Sequence, residues 1–189
     1  FGLTVEGVFD LGSEWDPNSQ CEFAYSPEYR LTVTDGRIVA TSGLIWTDGA
    51  CAEHTSHTEE GWLLRVADLQ TQSSLWDFKS SAELSDPSIA GEKLLVGTED
   101  GHLLCLDVTS GGILWDRSCK GAGSLTATPL VANGVVYFIG TDGFVGAADI
   151  QSGELLWSAS IACTLKGAPS ISSGILYVGS DFGLHAYSL

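Results

Sequence analysis

The sequence predicts an all-β fold, a β-propeller of four-stranded antiparallel blades, with four blades closed by an N-terminal strand. Three observations carry this. Short runs of β-branched and aromatic residues sit between glycines, as in Gly134-Val-Val-Tyr-Phe-Ile-Gly140 and Gly174-Ile-Leu-Tyr-Val-Gly179, which is the pattern of strands joined by tight turns. No stretch of about a dozen residues keeps an apolar stripe at helical spacing. The strands also repeat with a period near 40 residues, the length of a propeller blade.

The repeat is read from two markers. Asp68-Leu-Gln-Thr-Gln-Ser-Ser-Leu-Trp76, Asp107-Val-Thr-Ser-Gly-Gly-Ile-Leu-Trp115 and Asp149-Ile-Gln-Ser-Gly-Glu-Leu-Leu-Trp157 share an Asp, a polar turn and a Leu-Trp ending, with the Trp residues 39 and 42 apart. Pro87 and Pro129 each precede the next Trp by 28 residues, whereas Pro27 precedes Trp76 by 49. The excess falls around residues 43–60 and is expected to be an inserted loop. Blade I then covers 26–80, blade II 86–118, blade III 126–161, and blade IV 167–189 together with an N-terminal strand at 3–17. In blade III the four strands are expected near Ala127–Ala132, Val135–Gly140, Phe144–Asp149 and Glu154–Ile161.

Ring closure follows from the ends of the chain. Blade IV lacks its last strand and its Trp, while Trp15 precedes Pro27 by 12 residues, as Trp157 precedes Pro169. An open ring would leave an edge strand bare. The rival arrangements are a slice of a seven- or eight-bladed propeller, and half of an eight-bladed ring completed by a second copy as a homodimer.

The 189 residues are 44% hydrophobic and carry 24 acidic against 8 basic residues, a formal charge of −16. Such a chain buries a core and repels phosphate backbones and anionic lipid, which argues against nucleic acid and bare membrane as partners. No run of 18 apolar residues is present to span a bilayer. Met is absent even at position 1, so the chain reads as processed or excised, with any signal peptide already gone.

The motif Ala-Asp-x-x-Ser-Gly-x-x-Leu-Trp, with a Pro-led strand and Gly-x-x-Tyr-x-Gly-x-x-x-Gly after it, resembles the pyrroloquinoline-quinone-type propeller repeat family. Three units match over 61–189 and a looser one over 26–60, and Gln72 departs from the pattern where the turn glycine belongs. The resemblance implies that Trp76, Trp115 and Trp157, with Trp15, wedge between neighbouring blades. The family holds quinone-dependent alcohol dehydrogenases, which the resemblance associates with eight blades, a calcium ion, an Asp base and adjacent cysteines. This chain has no adjacent cysteines and half the blades. It is closer to the family's non-catalytic outer-membrane assembly lipoproteins, so no cofactor is expected.

Candidate sites outside the repeat are few. Cys51-Ala-Glu53-His54-Thr-Ser-His57-Thr-Glu59-Glu60 concentrates donors at a spacing that brings a thiolate and two imidazoles to one divalent ion; the plain alternative is a polar loop. Asp16-Pro-Asn-Ser-Gln-Cys-Glu22 alternates oxygen donors but lacks the glycine and distal Glu of a calcium loop. In a propeller the D-to-A and B-to-C connections share one face. There Glu53, Glu59, Glu60, Glu99, Asp100, Asp142 and Asp181, the lysines Lys79, Lys120 and Lys166, and Trp46 or Trp62 are expected to form a rim for a protein or glycan; the plain alternative is a solvated surface, and Trp46 and Trp62 read equally as core residues of their strands.

Five cysteines leave at least one unpaired within the chain. Cys105, flanked by Leu104 and Leu106 in a strand, is expected to be a buried free thiol. Cys21–Cys51 and Cys119–Cys163 are the expected pairs, with Cys21–Cys163 as the alternative, and two bridges imply an oxidising, extracytoplasmic compartment. The expected function is a non-catalytic extracytoplasmic binding or scaffold module. A metal- or ligand-dependent enzyme built on Cys51, His54 and His57 is the competing reading.

Overall fold

Side chains alternate from face to face with period two, and the middle strands β6 (Lys93–Gly97), β7 (His102–Asp107), β10 (Val135–Ile139) and β11 (Phe144–Asp149) are buried on both faces. That pattern suits a sheet buried between two neighbouring sheets. In β10, Val136 and Phe138 pack towards one neighbouring sheet while Tyr137 and Ile139 pack towards the other. A β-propeller is the architecture that results.

The computed structural model describes residues 24–34, 36–47, 58–71 and 73–189. The first sheet holds β1 (Ala24–Thr34), β2 (Arg37–Thr47), β3 (Thr58–Asp68) and β4 (Ser74–Ser80). The second holds β5 (Ser88–Ala90), β6 (Lys93–Gly97), β7 (His102–Asp107) and β8 (Ile113–Ser118). The third holds β9 (Leu130–Ala132), β10 (Val135–Ile139), β11 (Phe144–Asp149) and β12 (Leu155–Ser160). The fourth holds β13 (Leu165–Ser172), β14 (Ile175–Ser180) and β15 (Gly183–Ser188). Every sheet is an antiparallel meander in chain order. The first strands β5, β9 and β13 touch one another across sheets, so they line the axis and the fourth strands lie at the rim. The strand expected at 3–17 lies outside the described residues, and among these the fourth sheet has three strands.

Three core layers separate the four sheets. Val39, Leu64 and Val66 meet Leu94, Val96 and Leu106 between the first two. Leu95, Leu103 and Cys105 meet Val136, Phe138 and Ala148 between the second and third. Tyr137, Ile139 and Val145 meet Leu165, Leu176 and Val178 between the third and fourth.

In the first three sheets the turn after the third strand is built on one aspartate. Oδ1 of Asp107 accepts from the amides of Thr109 (3.0 Å) and Ser110 (2.7 Å) and from the Ser110 hydroxyl (2.8 Å). Asp149 does the same with Gln151 and Ser152, and Asp68 with Gln70 and Thr71. These carboxylates are structural, closing the turn that a short polar side chain caps best.

The Leu-Trp marker of each repeat reaches the next blade. Trp76 Nε1 donates to the carbonyl of Val108 (3.0 Å), and Trp115 Nε1 donates to that of Ile150 (3.1 Å). The two rings lie on Gly111 and Gly153, where a β-carbon would stand 2.6 and 2.7 Å from ring atoms and where φ is +73° and +69°. Trp157 lies edge-on to Tyr187, centroids 5.3 Å apart, and stays 39% exposed.

Two expectations are corrected by the sheets. The segment 43–60 is strand at both ends: β2 runs to Thr47, β3 begins at Thr58, and the ladder continues to the Thr47–Thr58 pair, while residues 48–57 lie outside the described residues. Leu44-Ile45-Trp46-Thr47 has the β-branched and aromatic composition that extends a hairpin. Lys79 likewise lies within β4 and Lys166 within β13, rather than in connections.

Candidate polar face at the axis

In an up-and-down meander the D-to-A connections and the B-to-C turns fall at the same end of every blade. Here that end carries the connections 81–87, 119–129 and 161–164 and the turns 98–101, 140–143 and 181–182. Each of these turns presents exposed acid: Glu99 and Asp100, Asp142, and Asp181. Lys120 and Lys166 are exposed at the same end. Among the described residues four exposed turn acids stand at this end beside Lys79, Lys120 and Lys166.

Near the axis the face sinks into a cavity of about 380 Å³. Its polar wall comes from Asp86, Ser124, Thr126, Thr128 and Thr141, and Ile139 and Leu165 supply an apolar floor. Asp86, Thr128 and Ala168, all in the lining, are the residues that immediately precede Pro87, Pro129 and Pro169. Pro87 and Pro129 are buried at the entry into β5 and β9 and Pro169 is buried within β13, and the residue before each reaches the axis in blade after blade. The connection 119–129 is held down by Leu125 N–H to Thr98 O (2.9 Å), Thr141 N–H to Ser124 O (2.9 Å) and Ser124 N–H to Thr141 Oγ1 (3.1 Å).

Arg30 of β1 organises the edge of this cavity. Its guanidinium donates to the Leu84 carbonyl (3.1 Å) and to Glu83 Oε1 (3.0 Å), and its Nε lies 3.5 Å from Asp86 Oδ1. The same group sits 5.6 Å from the centre of the Trp62 ring, a cation–π distance. One cation thus serves two carboxylates, and Asp86 Oδ1 is buried without a hydrogen bond.

The residues singled out from the sequence are placed as follows. Trp62 is half-buried and packs against the core between the first two sheets, the core alternative rather than an exposed rim. Its strand alternation turns it to the core side with Leu64 and Val66. Trp46 and Glu59 are backbone register partners in β2 and β3, so Glu59, with Glu60, belongs to a strand and not to a loop tip. Glu53, His54, His57, Cys51, Cys21 and Trp15 lie outside the described residues. Asp86, Arg30 and the hydroxyl wall were missed, although the repeated position before proline marks three points of the cavity.

The expected Cys119–Cys163 bridge is not formed; both are free thiols. Cys119 belongs to the core between the second and third sheets, Cys163 packs against the core between the third and fourth, and blade III stands between them. Burial pushes the thiols of Cys105 and Cys119 up to about 11. Cys163 is half-buried, with its Sγ 3.9 Å from His185 Nε2. The pairs involving Cys51 lie outside the described residues. The alternative Cys21–Cys163 pair involves Cys21, which lies outside the described residues.

Comparison with known proteins fixes the family. The profile described as outer membrane protein assembly factor BamB, of the PQQ-type propellers, matches residues 59–189. The chain belongs to this family. A BamB from Moranella endobia is 26% identical over 147 residues, covering 70% of this chain and 36% of that protein. A quinohemoprotein alcohol dehydrogenase, ADH IIB of Pseudomonas putida, is 28% identical over 202 residues, covering 88% of this chain and 28% of the enzyme. The crystal structure of BamB from Moraxella catarrhalis superposes with a TM-score of 0.62 at 19% identity, over 90% of this chain and 61% of that one. The chain therefore spans only about a third of the length of these curated relatives.

Proposed function

We propose that this BamB-family propeller is a non-catalytic extracytoplasmic scaffold that binds a protein partner through the face bearing the D-to-A connections. The observation that carries the reading is the repeated acid at each described B-to-C turn, arranged around one axial cavity. Rigid blades hold these tips at fixed spacing, and turns on a rigid scaffold are where binding residues concentrate. The charge of −16 favours a partner with a basic surface, through both encounter rate and specificity. The name carried by the BamB relatives, outer membrane protein assembly factor, supports a role in envelope assembly and an extracytoplasmic location. We also propose that residues 3–17 complete the fourth blade by pairing with β15, whose outer edge and exposed Leu184 (70%) suit a further strand.

A dehydrogenase reading is favoured by the coverage of the quinohemoprotein relative. Against it, the aspartates that recur in the repeat, Asp68, Asp107 and Asp149, are consumed in turn closure at the opposite end from the cavity. Site-specific photocrosslinking in the host envelope tests the proposal. A crosslinker at Asp142 or Asp181 is expected to capture one defined protein, and one at Asn133 or Ser173, at the other end, is not. Capture from the Asn133 and Ser173 end alone would overturn it.

A further inference from the structure

We propose that two copies of this chain close one ring, the fourth blade of each packing its open face on the back of the partner's first blade; the inference does not rest on the scaffold reading above. Every blade has a forward face, towards the next blade in sequence, and a back face. The strand register makes positions equivalent from blade to blade. Cys105, Ala147 and Ala186 pair with Leu95, Tyr137 and Tyr177, and Leu103, Val145 and Leu184 pair with Gly97, Ile139 and Gly179. In the second blade Leu95, Leu103 and Cys105 are closed into a core layer, as Tyr137, Val145 and Ala147 are in the third. In the fourth, Leu184 is 70% exposed and Ala186 is exposed as well. The back of the first blade is open in the same sense. Ile89, Val131 and Ile171, the register partners of Leu94, Val136 and Leu176, each pack into the layer behind their blade. Val33, the partner of Ile38, holds that place in the first blade and is 61% exposed; Leu31, on the same face, is 57% exposed. Among the described residues no core layer joins the fourth sheet to the first, so the two open faces do not cover each other within one chain.

Three junctions in this chain already join a forward face to a back face, and the two open faces are of these same two kinds. The occupant that fits each is therefore a blade of this repeat, and a second copy supplies both at once. The contact is head-to-tail, and two such contacts related by a two-fold axis close a ring, which removes both bare faces together. The charges on these faces permit it. Within β13–β15 the charged residue on the forward face is Lys166, opposite in sign to the net charge of −16 on the incoming copy. On the back of the first blade Arg65 is paired with Asp77 at 2.7 Å. Chain order adds a clasp. The connections 81–87, 119–129 and 161–164 lead from the last strand of one blade into the first strand of the next, so a strand at 3–17, leading into β1, falls in the blade behind the first. In the ring that blade is the partner's fourth, and the pairing with β15 proposed above passes between copies.

Sedimentation velocity of the full chain at micromolar concentration is expected to give twice the chain mass. Leu184→Asp and Val33→Asp change exposed positions and should keep the native circular dichroism spectrum. Each is expected to sediment as a monomer, because a carboxylate buried in both junctions weakens the dimer about a hundredfold or more. Mixing the two variants leaves one junction native, so a heterodimer weaker than the native dimer is expected to return. Deleting residues 1–17 is expected to weaken the dimer about tenfold or more, through the lost main-chain pairing. A monomeric native chain, or assemblies that grow beyond two copies with concentration, overturns the proposal. So does a dimer that either substitution leaves intact: if Leu184→Asp alone breaks it, two fourth blades meet each other instead. A dimer constant unchanged by the deletion overturns the exchange of strands. The scaffold reading is tested apart from this, by the crosslinks at Asp142 and Asp181.

Discussion

Replacing Gly111 by alanine tests how the blades are held together. The new β-carbon would stand 2.6 Å from the Trp76 ring at Cδ2 and Cε3, the base of a ring anchored by its bond to Val108 O, so the neighbour has little room to yield. Two costs add. Alanine at φ +73° costs about 1–2 kcal/mol, and overpacking a fixed ring costs about 1–3 kcal/mol. Gly91, in the same blade, has φ +61° and nothing within 4 Å of a built β-carbon, so Gly91→Ala carries only the first cost. The entropy that alanine removes from the unfolded chain is common to both and cancels in the difference. Urea unfolding followed by circular dichroism and tryptophan fluorescence is expected to place Gly111→Ala about 1–3 kcal/mol below Gly91→Ala. Gly153→Ala, which meets Trp115 at 2.7 Å, should behave like Gly111→Ala. Equal loss in Gly111→Ala and Gly91→Ala would refute the claim that the Trp–Gly contact locks neighbouring blades.

Acid should loosen the turns in a defined direction. Hydrogen bonds from Ser110, side chain and backbone, hold Asp107 below the usual carboxylate range, as Ser152 does for Asp149 and Thr71 for Asp68. Their stabilisation is complete above the unfolded value near 3.9 and is lost as pH falls through the lower folded values; the urea midpoint should drop there, and less steeply in Asp107→Asn/Asp149→Asn. Thiol mapping at pH 8 should find Cys163 reacting well before Cys105 and Cys119, whose thiols stay protonated until the chain unfolds, and no Cys119–Cys163 peptide should appear without reductant. Deleting residues 1–17 should strip hydrogen-exchange protection selectively from β15 amides; unchanged protection there would sink the proposed pairing.

The fold class was legible because it rests on a periodic signal. Alternating apolar strands and the Asp-turn-Leu-Trp unit recur at nearly constant spacing, and each recurrence reports the same packing demand. The ends of the inserted segment, 43–47 and 58–60, were misread because the insertion breaks that period, and a break in spacing looks the same whether the extra residues form a loop or lengthen strands. Residue-level function was less visible. Trp62 looks like an exposed aromatic until strand register assigns its face, and Cys119 and Cys163 occupy equivalent repeat positions that turn out to lie on opposite sides of a blade. The cavity depended on three residues about forty apart in sequence, and only the shared position before proline links them.

Whether this face is the binding surface is tested most directly by reversing its charge. A variant with Glu99, Asp142 and Asp181 changed to lysine alters exposed turn tips, spares Asp100, whose carboxylate accepts from the Thr98 hydroxyl, and should keep the circular dichroism spectrum of the native chain. The account predicts that the native chain co-purifies from the host envelope with a defined protein partner and that the folded variant loses it. Retention of the partner by the variant, or quinone-dependent alcohol oxidation by the native chain, would contradict the account.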